Sequence, residues 1–168
     1  MAASAAAASP IDAYVGLGSN LGDRAAEIER AFAELAALPA TTLVARSSIY
    51  RSAPVDAGGD DYFNAVAQLR TALAPLELLR ALQAIEQAHG RQRPFVNAPR
   101  TLDLDLLLHG DVVLAGDALT LPHPRLQGRA FVLVPLAEIA PALVVPGRGS
   151  VAALREAVAA QRVVKLGR

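Results

Sequence analysis

Two spacings of apolar residues, one near 3.6 and one near 2, divide this chain into elements. DAYVGLGSN (12–20) is a short apolar run ending in glycines, which predicts a strand and then a turn. Ile28, Ala31, Phe32, Leu35 and Leu38 follow at helical spacing, with Glu27, Arg30 and Glu34 between them and Pro39 at the end. TTLVARSSIYRS (41–52) predicts a second strand, PVDAGGDD (54–61) a loop, and YFNAVAQLR (62–70) a third strand. Pro75 opens a helix whose stripe is Leu78, Leu79, Leu82 and Ile85 and whose stop is Gly90. RQRPFVNAPR (91–100) predicts a basic loop, and PRTLDLDLLLHG (99–110) supplies a fourth strand. Residues 110–129 predict turns and short extended pieces. AFVLVPLAEIAP (130–141) predicts a helix despite Pro135, and SVAALREAVAA (150–160) a last helix. The order β-α-β-β-α-β predicts an α+β fold of the ferredoxin-like kind, an antiparallel sheet with helices packed on it, followed by C-terminal helices.

The fourth strand contains two charges that its apolar neighbours do not explain. Alternation puts Leu102, Leu104, Leu106 and Leu108 on one face, toward the core, and Asp103, Asp105 and Leu107 on the other. The two carboxylates then stand about 6.5–7 Å apart at their Cα atoms. Like charges so close repel unless a cation lies between them, and oxygen-only ligation suits Mg²⁺ beside a phosphate substrate. A D-x-D pair by itself fits a solvated strand face better. Arg91, Arg93 and Arg100 in the adjoining loop favour a polyanion, because guanidinium groups take phosphate oxygens bidentately. A solvated loop is the other reading of those arginines.

Composition narrows the chemistry. The chain has 168 residues, 53% of them hydrophobic, which suits one core; residues 1–10 are expected to be a disordered or frayed leader and 11–168 a single domain. Sixteen basic and sixteen acidic residues cancel, so no nucleic-acid or membrane-surface partner is indicated. Without cysteine there is no disulfide, thiolate metal site or thiol nucleophile. The only lysine is Lys165, which excludes a phosphate loop built on a central lysine. GLGSNLGDR (16–24) therefore reads either as a ligand-contacting loop or as a tight strand-to-helix turn with Ser19 or Asn20 near the cap. His123, held between two prolines, is placed to present its ring to a phosphate; His89 and His109 read as surface or capping residues. Gln83 and Glu86 form an i, i+3 pair on the polar side of the second helix, most simply a solvated face.

YVGLGSNLGD, SSIYRSAPV, DYFNAV, IEQAHGRQR, PRTLDLDLLLHG, LTLPHPRL and GRAFVLVPLAEIAP, in that order, resemble the 6-hydroxymethyl-7,8-dihydropterin pyrophosphokinases of folate biosynthesis. The resemblance runs over about residues 13–147. It implies a cytoplasmic, monomeric ATP-dependent diphosphokinase. Pyrophosphate would pass from ATP to the hydroxymethyl oxygen of 6-hydroxymethyl-7,8-dihydropterin by in-line attack on the β-phosphorus, releasing AMP. It also implies that Asp103 and Asp105 are ligands of two Mg²⁺ ions, and that Arg91 and Arg100, with Arg93 as a third, bind phosphate. Arg91, Arg100, Asp103 and Asp105 would be the catalytic set. Tyr62 and Phe131 match an aromatic pair that sandwiches the pterin, Asn64 an amide that bonds its edge, and Ser52, Val55 and Gly18 the rest of that pocket. Gln83, Glu86, Leu106, Thr120 and His123 match ATP contacts, with Arg129 nearby. The chain departs from some members in having Asn97 and Ala98 before PRTLDLD, Pro124 after His123, and no lysine in the basic loop. A binding module without turnover and a Mg²⁺-dependent phosphohydrolase are the rival readings; the second has no use for an aromatic clamp.

Overall fold

The computed structural model describes residues 9–53, 61–90 and 102–166. Strand β1 (Ile11–Ser19) leads to helix α1 (Arg24–Ala36), strands β2 (Thr41–Arg46), β3 (Tyr50–Ser52) and β4 (Tyr62–Thr71), helix α2 (Pro75–Ala88) and strand β5 (Asp103–His109). β1 lies between β4 and β5, antiparallel to both, while β2 and β3 pair in succession with β4. Local chemistry sets the helix ends. Asp23, rather than Ser19 or Asn20, caps α1 by accepting from Ala26 N at 3.1 Å, and Gly90 ends α2 at φ +75°.

Past β5 come a small hairpin, β6 (Leu114–Ala115) and β7 (Thr120–Leu121), and a 3-10 turn at Leu126–Gly128. Helix α3 (Ala130–Ile139), a second hairpin of β8 (Val144–Val145) and β9 (Gly149–Ser150), and helix α4 (Val151–Ala157) follow. The sheet is covered on both faces. Ile28, Phe32 and Leu35 of α1 and Leu78, Leu82 and Ile85 of α2 pack on Val15, Leu17, Leu69, Leu104 and Leu106. Leu133 and Leu136 of α3 and Val151 of α4 pack with Tyr14, Val66, Leu107 and Leu108 on the other. Pro135 sits inside α3, so the helix forgoes one backbone bond and is held by this packing instead.

Several expectations need correction. The predicted strand 41–52 is two strands, because residues 47–49 oppose only Ala65 and Val66 between the Arg46–Ala67 and Tyr50–Asn64 pairs. Ser47 bridges the break, donating its N–H to Val66 O and accepting Val66 N–H on its hydroxyl, both at 2.9 Å. The last helix is shorter than predicted, and a strand that the pattern did not indicate, β10 (Val163–Lys165), pairs with β3 at the sheet edge. Leu108 packs on the α3 face with Leu107, not with Leu102, Leu104 and Leu106. Tyr14 pairs with Leu108 and Val15 with Leu106, so Leu107 is an extra residue that reverses the alternation. His89 and His109 are buried rather than at the surface, although His89 does stand at the C-cap of α2: its two ring nitrogens bond Glu27 and Glu34 of α1, and His109 Nε2 donates to Leu73 O at 2.8 Å. Glu86 is likewise buried, not solvated.

Candidate active site

Register brings the candidate residues into rows across the sheet. Tyr50, Asn64, Gly18 and Asp103 face one another along β3, β4, β1 and β5, and one step inward Val66, Gly16 and Asp105 do the same. Cross-strand partners project to one side, here the side of α3, where Tyr50 donates its hydroxyl to Glu138 at 2.7 Å. Gly18 leaves a trough in this row. A Cβ built there would lie 3.5 Å from Asn64 Oδ1, 3.8 Å from Tyr62 Cδ1 and 3.9 Å from Asp103 Cβ, so three candidate side chains surround the space that glycine leaves.

Asn64 is buried, and its amide is oriented: Nδ2 donates to Ser52 Oγ at 2.7 Å, which leaves Oδ1 toward the trough. Ser52 pairs with Tyr62 across β3 and β4, so Ser52, Tyr62 and Asn64 form one wall. Phe131 enters from the first turn of α3, half-buried, with the Arg129 guanidinium 5.3 Å from its ring centroid. The wall is held from behind by Glu138, which accepts from Ser48 N at 3.0 Å, Ser48 Oγ at 2.8 Å and Tyr50 Oη. Burial alone would push the Glu138 carboxyl up, but the bonds from Tyr50 and Ser48, aided by Lys165, outweigh it and hold the pKa below the ordinary value. Burial, then the bond to Glu138, pushes the Tyr50 phenol up. Sequence reasoning missed this network. Its members lie 88 and 90 residues apart, and no local pattern links them.

On the other side of the trough the aspartates of β5 meet His123. The His123 N–H donates to Leu107 O at 2.9 Å, and Arg125 N–H donates to His123 Nδ1 at 3.2 Å. The neutral ring therefore keeps its proton on Nε2, which lies 4.0 Å from Asp105 Oδ1. Burial holds the His123 pKa below its ordinary value; Asp105 opposes this, while Arg129, Arg125 and Arg148 reinforce it. Glu86 Oε2 accepts Leu104 N–H at 2.8 Å, tying α2 to the outer edge of β5 between the two aspartates. Leu106 buries its side chain in the α1/α2 core, so a ligand at that edge would meet its backbone. Gln83 stands exposed one turn before Glu86, and Thr120 lies on β7 beside the segment bearing His123. Arg91, Arg93, Arg100 and Val55 lie outside the described residues. Among the described residues no cluster of three or more His, Asp or Glu side chains could hold a metal by itself.

No helix among the described residues is long and apolar enough to cross a membrane. The family model of 7,8-dihydro-6-hydroxymethylpterin-pyrophosphokinase (HPPK) matches residues 14–141. The 2-amino-4-hydroxy-6-hydroxymethyldihydropteridine pyrophosphokinase of Haemophilus influenzae is 42% identical over 157 residues, covering 93% of this chain and 98% of that protein. Its counterpart in Pseudomonas aeruginosa is 50% identical over 134 residues, covering 79% of this chain and 83% of the relative. Among solved structures, wild-type HPPK-DHPS of Plasmodium falciparum superposes with a TM-score of 0.70 at 13% identity, over 91% of this chain and 42% of that one. An HPPK-DHPS structure in complex with substrates gives 0.70 at 12% identity, over 89% of this chain and 43% of the other. The chain thus spans less than half the length of those fused proteins, and at such identities they speak for the fold alone. The family match runs from β1 into the residues just past α3 and takes in the trough, the aspartate pair and Phe131. The chain accordingly belongs to the 7,8-dihydro-6-hydroxymethylpterin-pyrophosphokinase family, ATP-dependent diphosphokinases that transfer pyrophosphate in folate biosynthesis.

Proposed function

We propose that the trough over Gly18 receives 6-hydroxymethyl-7,8-dihydropterin, with Tyr62 and Phe131 on its faces and Asn64 Oδ1 accepting from its N–H edge. The observation that carries this reading is the single row Asn64–Gly18–Asp103, in which an oriented amide, an open floor and a carboxylate succeed one another across three strands. A flat heterocycle held against the amide would send its hydroxymethyl arm toward the aspartates. Ser52 and the backbone near Val55 complete the pocket. The strand order β5-β1-β4, with β2 and β3 on the far edge of β4, supports reading the sheet as ferredoxin-like.

Asp103 and Asp105 would hold two Mg²⁺ ions. The donor set fits that ion, since Mg²⁺ is commonly bound through one or two carboxylates plus substrate phosphates and water, and no third acidic or histidine ligand is clustered there among the described residues. Bound Mg²⁺ supplies neutralisation of the triphosphate charge. ATP would lie along the β5 edge among Gln83, Glu86, Leu106, Thr120 and His123, with Arg129 nearby and Arg91, Arg93 and Arg100 on its phosphates. Neutral His123 would donate from Nε2 to a phosphate oxygen. The pterin alcohol would attack the β-phosphorus in line, forming the new P–O bond as the bond to the α-phosphate bridging oxygen breaks; AMP leaves and the hydroxyl proton passes to solvent. Positioning and charge neutralisation account for this step, and no covalent nucleophile is required. Incubation with ATP, Mg²⁺ and the pterin alcohol is expected to give pterin-dependent AMP. ADP, or hydrolysis independent of pterin, would favour a phosphohydrolase, and pterin binding without product a binding module.

A further inference from the structure

Residues 122–131 bear His123, Arg129 and Phe131, yet most of their own backbone bonds are local turns; His123 N–H to Leu107 O is the backbone bond that joins them to the main sheet. Two side chains from farther along the chain reach back to this strip. Arg148, in the turn between β8 and β9, donates from Nη2 to Pro122 O at 3.0 Å and from Nη1 to His123 O and to Gln127 Oε1, the latter at 2.6 Å. Gln161, just before β10, accepts Ala130 N–H on Oε1 at 3.0 Å and donates from Nε2 to Gly128 O at 2.9 Å. Arg129 at the N-cap of α3 makes no capping bond with its own side chain, so Gln161 supplies the cap from 31 residues away.

We propose that Arg148 and Gln161 are positioning residues that set the two ends of this strip, Arg148 fixing His123 for the nucleotide and Gln161 fixing the start of α3 so that Phe131 faces the pterin. This rests on the placement of the two substrates given above. The chemistry of each tether suits its task. A guanidinium presents five N–H donors in a fixed plane, and acceptors on Pro122, His123 and Gln127 take three of them, which sets the turn that carries His123. An amide presents one acceptor and one donor, which matches the free N–H at the start of α3 and the carbonyl that ends the 3-10 turn. Both side chains act through others, so their loss should be read in the affinity for one substrate and not the other.

Steady-state kinetics on the full chain test this, with KM for ATP and for the pterin measured separately and thermal unfolding recorded for every variant. Arg148→Ala is expected to raise KM for ATP about tenfold or more, and Gln161→Ala to raise KM for the pterin about three- to tenfold, each with the other KM within about twofold. Gln161→Glu keeps the acceptor for Ala130 N–H and should recover part of the loss. Arg148→Lys reaches fewer carbonyls and should recover less, and it reads the same effect if Arg148→Ala fails to fold. Folded variants in which both KM values move together, or neither moves, would overturn the proposal. His123→Ala and Phe131→Ala run alongside. If these leave both KM values unchanged, the substrate placement has failed; if they shift them as expected and the tether variants do not, only the tethers have.

Discussion

At Gly18 the floor of the candidate pocket is made by a side chain that is missing. Because a Cβ there would meet its neighbours at 3.5–3.9 Å, ordinary contact distances, Gly18→Ala should fold with stability changed by no more than about 1 kcal/mol. It should nevertheless raise KM for the pterin by about tenfold, and Gly18→Val by more, since branching fills the trough. Asp105→Asn should leave the unfolding midpoint nearly unchanged and lower kcat by at least about a hundredfold in the presence of Mg²⁺; substantial turnover in a well-folded variant would exclude Asp105 as a metal ligand. Glu138 offers a pH test. Its carboxyl is held below the ordinary 4.5, so its contribution is complete above about pH 4.5 and is lost as pH falls through the lower folded value. Glu138→Gln should cost about 1–3 kcal/mol at pH 7 and flatten the acid limb of the stability curve, measured by urea unfolding. Asp103 and Asp105 were legible one by one, because strand alternation isolates them from the leucines. The Glu138 network was not, because its parts meet only after α3 has docked on the sheet.

Elements show where a periodic pattern is sufficient and where it is not. The stripes of α1 and α2 follow their sequence spacing, and their ends follow Asp23, Pro75 and Gly90. The 41–52 run reads as one strand by composition, but the extra residue at 47–49 is visible only against β4. β10 has only three residues and borrows its order from β3, which is why no periodicity announces it. His89 shows the same limit for a side chain: alone in sequence, it joins the end of α2 to Glu27 and Glu34 on α1. His89→Ala should lower stability by about 1–3 kcal/mol, seen as a lower urea midpoint at unchanged slope, with little effect on either KM.

On the scale of the molecule, the sheet carries α1 and α2 on one face and α3 and α4 on the other. Glu86 takes a backbone N–H on the outer edge of β5, and β10 covers β3. A chain ending at Arg162 keeps Gln161 but uncovers β3. It should unfold at lower temperature and associate at high concentration, as light scattering would report. The candidate site occupies the end of the sheet where β5, β1, β4 and the strip 122–131 converge, which explains why its outline required the fold. The extra residue at Leu107 has a further consequence. Upstream of it β5 obeys one parity, with aspartates toward α3; downstream it obeys the opposite, with Leu108 toward α3 and His109 toward Leu73. The strand is in effect two short strands in different phase, so a slip in pairing on either side would stop at Leu107 instead of turning the aspartates into the core.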